Sequence, residues 1–199
     1  MNEILQKDEV IIREIIAGAR TLFEKYGLKK TTMEDIAREV GKGKSSLYYY
    51  FPSKYEIFEA VVEQEINEFF IVTQKAIEKA STAREKLKAY SKMRVCKIKK
   101  LSNLSHIIKD DLIDNISVLL NIKKKHERSQ ISLVREIINT GVVSGEFKTI
   151  SKEDIDMLAF LIIAAFRGIE LPLCTEKAFP DLTQQVEVIV DVMVEGIGK

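Results

Sequence analysis

The sequence predicts an all-α protein. Apolar residues recur at three- and four-residue spacing in nearly every segment, no alternation of period two is sustained, and only three prolines interrupt 199 residues. The first helix is expected from about Asp8 to Tyr26, with Ile12, Ile15, Ile16, Ala19, Leu22, Phe23 and Tyr26 on one face. Gly27 then supplies a residue able to take a left-handed C-terminal turn. Thr32 with Asp35 is a capping-box pattern that opens a second helix ending near Val40, with Ile36, Ala37 and Val40 facing inward. Gly41 and Gly43 allow a tight reversal into a third helix, Lys44 to about Tyr50, which must stop before Pro52 because proline disfavours a helical residue ahead of it.

Ser53 with Glu56 caps a fourth helix whose stripe Ile57, Phe58, Val61, Val62, Ile66, Phe69 and Phe70 continues toward Ile77 and whose first turn holds Lys54. Thr82 with Glu85 opens a fifth, to about Lys100, and a short sixth is expected around Ser105 to Asp111. Asn115 to Thr140 reads as one long seventh helix, about 39 Å at 1.5 Å per residue, stopped by Gly141. Ser151 with Asp154 caps an eighth through Ile169, and Asp181 with Gln184 a ninth containing Val186, Ile189, Val190, Met193 and Val194. Residues 1–53 form a three-helix helix-turn-helix domain on this reading, and residues 54–199 a helical bundle, for about nine helices in all.

Composition narrows the function classes. An apolar fraction of 46% with 31% charged residues describes a soluble, packable chain, and the net charge of +1 conceals a polarised distribution. Gly41 to Lys54 carries Lys42, Lys44 and Lys54 and no acid, whereas the stretch after Ser151 holds nine acids against four bases. Cys96 and Cys174 have no disulfide or zinc spacing, which suits a reducing compartment. The longest apolar run, Met157 to Phe166, is ten residues, about half a membrane span, and the start lacks a signal-peptide pattern. The expected location is cytoplasmic, without membrane contact. His106 and His126 lack metal-ligand spacing, and there is no GxSxG elbow, phosphate loop or HExxH helix, so no metal, cofactor or enzymatic activity is expected.

The most informative stretch is Thr31 to Lys54, TTMEDIAREVGKGKSSLYYYFPSK, which has the outline of a helix-turn-helix. Adjacent residues on a helix project about 100° apart, so Tyr48, Tyr49 and Tyr50 cannot all be core. Hydroxyls and lysines on a helix without acids are groups that bind phosphate oxygens and read base edges. Leu47 and Phe51 suit a core. The stretch Ile11 to Phe58 resembles the N-terminal domain of the TetR family of bacterial and archaeal transcriptional regulators, on Thr32, Ile36, Ala37, Gly41, Leu47, Tyr48, Tyr50, Phe51 and Lys54 at family spacing. The resemblance implies that Lys44 to Tyr50 is a recognition helix. It also implies that Lys44, Ser45, Ser46 and Tyr48 face bases or the groove wall of double-stranded DNA, while Thr32, Tyr49, Tyr50 and Lys54 reach phosphates. Lys42 and Gly43 depart from the family pattern, in which a small apolar residue and a capping serine are usual. Lys42 is either a further phosphate contact or a solvated lysine.

The remaining helices resemble the family in architecture alone. MLAFLIIAAF is apolar around the whole circumference and VEVIVDVMV over more than one face. These segments are either central in a monomer or the seam of a homodimer, with Phe160, Ala164, Ile189 and Met193 as the seam candidates, and the resemblance favours the dimer. The fifth helix carries eight basic residues between Arg84 and Lys100 against Glu85. Such a run is ordinarily a solvated face; the alternative is that Arg94, near Tyr90 on the inward stripe, attracts an anionic or acyl-bearing small-molecule effector. The pocket candidates are Tyr90, Arg94, His106, Ile137 and Phe166. The leading expectation is a dimeric repressor of a pseudo-palindromic operator, released by an effector. The competing readings are a DNA-binding protein whose C-terminal domain docks a protein, and a small helical enzyme or binding protein.

Overall fold

A computed structural model describes the backbone of residues 2–100, 116–175 and 182–197, with side chains for 6–96, 126–168 and 185–197. Among the described residues there are eight helices and no strand: α1 (Asn2–Lys30), α2 (Met33–Glu39), α3 (Lys44–Tyr50), α4 (Lys54–Glu78), α5 (Ala83–Lys100), α6 (Ile116–Val143), α7 (Lys152–Thr175) and α8 (Leu182–Ile197). The short helix expected around 105–111 lies outside the described residues. The described residues form two compact units, one holding 2–67 with 116–122, the other 68–100 with the rest from 123 onward. The division falls inside α4. The reason is packing: Ile57, Phe58, Val61, Val62 and Ile66, on the first half of α4, are buried in the core of the first unit.

That core joins α1, through Ile15, Ala19, Leu22 and Phe23, to α2 and α3. Phe23 and Phe58 meet edge to face with centroids 5.1 Å apart, the geometry that the ring quadrupole favours. Leu47, fully buried, anchors α3 to the same core. Gly27 breaks the helical path of α1 with φ 78° and ψ 165°, a region open essentially to glycine. The predicted helix end at Tyr26 is thus present in the backbone, although the hydrogen-bonded element continues to Lys30.

The second unit is built on Leu87, Tyr90 and Val95 of α5, Val134, Ile137 and Ile138 of α6, and buried residues of α7 and α8. Three of its helix ends are closed by identifiable groups. The Thr82 and Ser81 N–H groups donate to Glu85, the Asp154 N–H donates to Ser151 Oγ at 3.1 Å, and Lys148 donates from its N–H and its ammonium to the carbonyls of Ile197 and Gly196 at the end of α8. The Glu146 carboxylate accepts from the Ala83 and Arg84 N–H groups at 2.7 and 2.9 Å, satisfying two of the donors that every helix N-terminus leaves open.

Candidate nucleic-acid interface and apolar cavity

The interface begins with the turn between α2 and α3. Thr32 caps α2: its Oγ1 accepts from the Asp35 N–H at 3.1 Å, and its own N–H donates to Asp35 Oδ2 at 3.0 Å. The Thr32 hydroxyl also donates to Asp35 Oδ2 at 2.6 Å, and this bond first, with the Thr32 N–H bond second, holds the Asp35 carboxyl below the usual range. At the other end, Gly41 takes φ 63°, its N–H donates to the Arg38 carbonyl and the Lys42 N–H donates to the Ala37 carbonyl at 2.9 Å. This is the Schellman closure, which needs a left-handed residue at that position. Gly43 then caps α3 in extended conformation without a side-chain bond, and the Ser46 and Leu47 N–H groups donate to its carbonyl. The turn therefore closes normally despite Lys42 and Gly43.

With Leu47 buried, the opposite side of α3 faces outward. Ser45, Tyr48 and Tyr49 lie at three- and four-residue spacing, which places them on one face, and all three are exposed, Tyr49 at 77%. Lys44 stands one turn before Tyr48, its ammonium 6.0 Å from that ring. Ser46 is half-buried at the edge of this strip. Two of the predicted contact residues have other engagements. The Tyr50 hydroxyl donates to Asp8 Oδ1 at 2.8 Å, which pushes its pKa up, and its ring is half-buried. Lys54 donates to the carbonyls of Leu28, Lys29 and Thr31 at 2.8, 3.2 and 3.0 Å. An ammonium has three protons, and those of Lys54 close the turn between α1 and α2.

The two remaining cations of the turn are paired with acids. Lys42 meets Glu14 at 2.9 Å, and Lys44 is hydrogen-bonded to Glu34, a contact that raises the lysine pKa and lowers that of the carboxyl. This face of the turn and of α3 is thus rich in hydroxyls, and its two lysines are engaged by carboxylates. Neither acid nor the Lys54 cradle was read from the sequence; the partners lie ten or more residues away and have no local signature.

Of the predicted effector residues, Phe166 lines a cavity of about 180 Å³ between α5, α6, α7 and α8. Tyr90 and Arg94 pack on the Phe166 ring, with the tyrosine centroid at 6.1 Å and the guanidinium at 5.9 Å, but neither belongs to the cavity lining. Arg94 is buried and donates to Gln130 Oε1 at 2.9 Å. Ile137 is core, and His106 lies outside the described residues. The basic face of α5 proves to be more than solvated. Arg84 and Lys88 pair with Asp191 and Lys92 with Glu187, joining α5 to α8. Of the seam candidates, Phe160, Ile189 and Met193 are exposed and Ala164 is half-buried. Met157, Leu161, Val188 and Val192 are exposed beside them on the same two helices, each by more than half.

Residues 15–61 match the model of the bacterial regulatory proteins of the tetR family, and residues 72–199 match that of the QacR-like protein C-terminal region. The chain belongs to the TetR family of transcriptional regulators. It is 24% identical over 172 residues to the HTH-type transcriptional regulator YhgD of Bacillus subtilis, covering 86% of this chain and 87% of that one. A shorter match, 48% identical over 50 residues, covers 25% of this chain and 27% of the biofilm operon icaADBC HTH-type negative transcriptional regulator IcaR of Staphylococcus aureus. A transcriptional regulator from Cytophaga hutchinsonii has a crystal structure that superposes with TM-score 0.70 at 32% identity, covering 93% of this chain and 97% of that one. This TetR-family regulator binds DNA and is not an enzyme. Among the described residues, no helix is long and apolar enough to cross a membrane.

Proposed function

We propose that this TetR-family regulator is a cytoplasmic repressor that binds a pseudo-palindromic operator as a homodimer and is released by a small-molecule effector. The observation that carries the DNA half is the outward strip of α3, where Ser45, Tyr48 and Tyr49 are exposed while Leu47 on the opposite side is fully buried. Lys44, Ser45, Ser46 and Tyr48 are the residues assigned to bases and groove wall, with Thr32, Lys42 and Tyr49 assigned to phosphates. Tyr50 and Lys54 hold the domain in shape. The negative regulator IcaR, whose match falls within a stretch of only 50 residues, favours repression over activation.

The homodimer is supported by the exposed apolar residues of α7 and α8. Seven of them, Met157, Phe160, Leu161, Val188, Ile189, Val192 and Met193, are each more than 40% exposed, and a run of that size on two neighbouring helices is a surface that water disfavours. A second copy also supplies the second recognition helix for a two-fold operator. The effector acts by population shift, binding the conformation unable to span two half-sites more tightly than the one that can. Residues 1–53 are the DNA-binding part of this scheme and 54–199 the effector and dimer part.

Electrophoretic shift on the DNA flanking the protein's own coding region tests the reading. The expected result is a sequence-selective shift that weakens steeply with salt, since neutralised phosphates release counterions. No selective shift on that DNA, with folded dimeric protein, counts against autoregulation; no selective shift across a random-sequence selection defeats the operator reading altogether.

A further inference from the structure

The cavity between α5, α6, α7 and α8 has a polarity and an opening that together define a ligand class. Its floor is buried: Leu87, Ile138, Phe166, Val186 and Val190. Among the described residues that line it, Ser91 is the single polar side chain and none is charged. The nearby cations Lys88 and Lys92 are already paired with Asp191 and Glu187. A charged guest would leave water without a counter-charge, which low-polarity surroundings penalise heavily. A neutral apolar guest meets no such barrier. Cavities of about 150 Å³ lined by leucine, isoleucine and phenylalanine stay dry and accept benzene, so about 180 Å³ accommodates one ring with a short alkyl arm.

The exposed lining residues mark the mouth: Ala165 on α7, with Ile189 and Met193 on α8. Ile189 and Met193 also belong to the apolar face assigned above to the homodimer. We propose that this cavity binds neutral monocyclic or short-chain lipophilic molecules, and that the partner protomer closes its mouth, so that occupancy and dimerisation are thermodynamically linked. The linkage half rests on the homodimer reading of the preceding section. A guest in the isolated protomer keeps its mouth-facing surface wet, whereas in the dimer that surface is covered. It therefore binds the dimer more tightly, and by reciprocity each occupied cavity strengthens the dimer by the same factor. Covering a few tens of Å² of hydrocarbon corresponds to about fivefold in affinity.

Ethylbenzene serves as the probe on the full chain, with benzoate and benzylammonium as charged counterparts of similar size. Ethylbenzene near saturation is expected to raise Tm by about 2–4 °C, with no rise from the charged pair. Ser91→Leu, which pushes a larger side chain into the cavity, should abolish the rise, and Leu158→Phe is the second variant should the first fail to fold. Subunit exchange between differently tagged copies should slow with ethylbenzene by about fivefold per filled cavity, about 25-fold with both filled, since affinity differences within one interface reside mostly in dissociation. No rise in Tm, an equal rise in a folded cavity-filled variant, or an equal rise from the charged pair overturns the site. A rise that Ser91→Leu removes, with unchanged exchange, overturns the linkage alone. Sedimentation showing a monomer defeats the homodimer reading and the linkage with it, while the thermal comparison still decides the cavity.

Discussion

Lys54→Met removes an ammonium while keeping most of the aliphatic stem, and so isolates what the charge does. In the folded protein that ammonium donates to three carbonyls, those of Leu28, Lys29 and Thr31, just after the glycine break at Gly27. The Leu28 and Thr31 bonds are partly buried and the Lys29 bond is exposed, so the Lys29 carbonyl regains water at little penalty and the other two do not. A hydrogen bond to a charged group is worth about 1.5–3 kcal/mol net. With two acceptors only partly rehydrated and the bonds sharing one donor group, the expected loss is about 2 kcal/mol in total. For a chain of this size that corresponds to a fall in Tm of about 4–8 °C. Thermal unfolding by circular dichroism measures it, and operator affinity across a salt series supplies the second readout. A lysine that closes a turn changes stability and leaves the salt slope alone, whereas one that neutralises a phosphate lowers the slope by about one unit. An unchanged Tm with a slope reduced by one refutes the structural role and restores Lys54 to the phosphate contacts.

Other substitutions test the remaining contacts. Glu34→Gln frees Lys44 from its partner and should tighten binding to all DNA sequences by about two- to fivefold, the range that an exposed ion pair allows; unchanged non-specific affinity in fluorescence anisotropy would show that the pair does not compete with DNA. Glu146→Ala exposes the Ala83 and Arg84 N–H groups at the start of α5 and should destabilise the protein by about 1–2 kcal/mol, read by denaturant titration; a change below a few tenths means water replaces the carboxylate without loss. Gly27→Ala places a Cβ at φ 78° and should cost about 1–3 kcal/mol, with no loss showing that the chain has another path at that break. Asp35 has a depressed pKa in the fold, so its contribution is complete above the ordinary aspartate value and disappears as pH falls through the lowered one. Asp35→Asn should therefore flatten part of the acid limb of the stability profile, and identical acid limbs in both proteins would remove Asp35 from it.

The caps were legible because covalent spacing fixes them. Thr32 with Asp35, Thr82 with Glu85 and Ser151 with Asp154 lie three residues apart, and one turn of helix brings such pairs together whatever the rest of the chain does. The burial of Leu47 against the exposure of Tyr48 and Tyr49 follows from the same local geometry. Partners separated by long stretches of sequence were not legible. Lys54 reaches back to Leu28, and Glu146 to Ala83, across chain whose course depends on the whole core. The basic run of α5 shows the boundary well. Its charge was plain, and so was the acidity of the last helix, yet only their packing reveals that Arg84, Lys88 and Lys92 face Asp191 and Glu187. The inward stripe of α5 has the same limit. It is wide enough that Arg94 turns to Gln130 and Phe166 while Ser91, one turn earlier, meets the cavity, and spacing alone does not separate the two.

An effector can free an operator by splitting the dimer or by changing the dimer's shape, and the cavity distinguishes these routes. The lysines of the turn and of α3 are paired with Glu14 and Glu34, and one recognition helix reaches one half-site, so affinity depends on joining two half-sites. Splitting would therefore be an efficient switch. But a guest whose mouth-facing surface is covered by the partner favours the dimer and so opposes splitting. Release by such a guest has to proceed through the conformational equilibrium of the intact dimer. Loss of operator binding on adding effector should then be independent of protein concentration well above the dimer dissociation constant. A loss that is rescued by raising protein concentration, with operator held trace, would point to splitting and contradict a cavity closed by the partner.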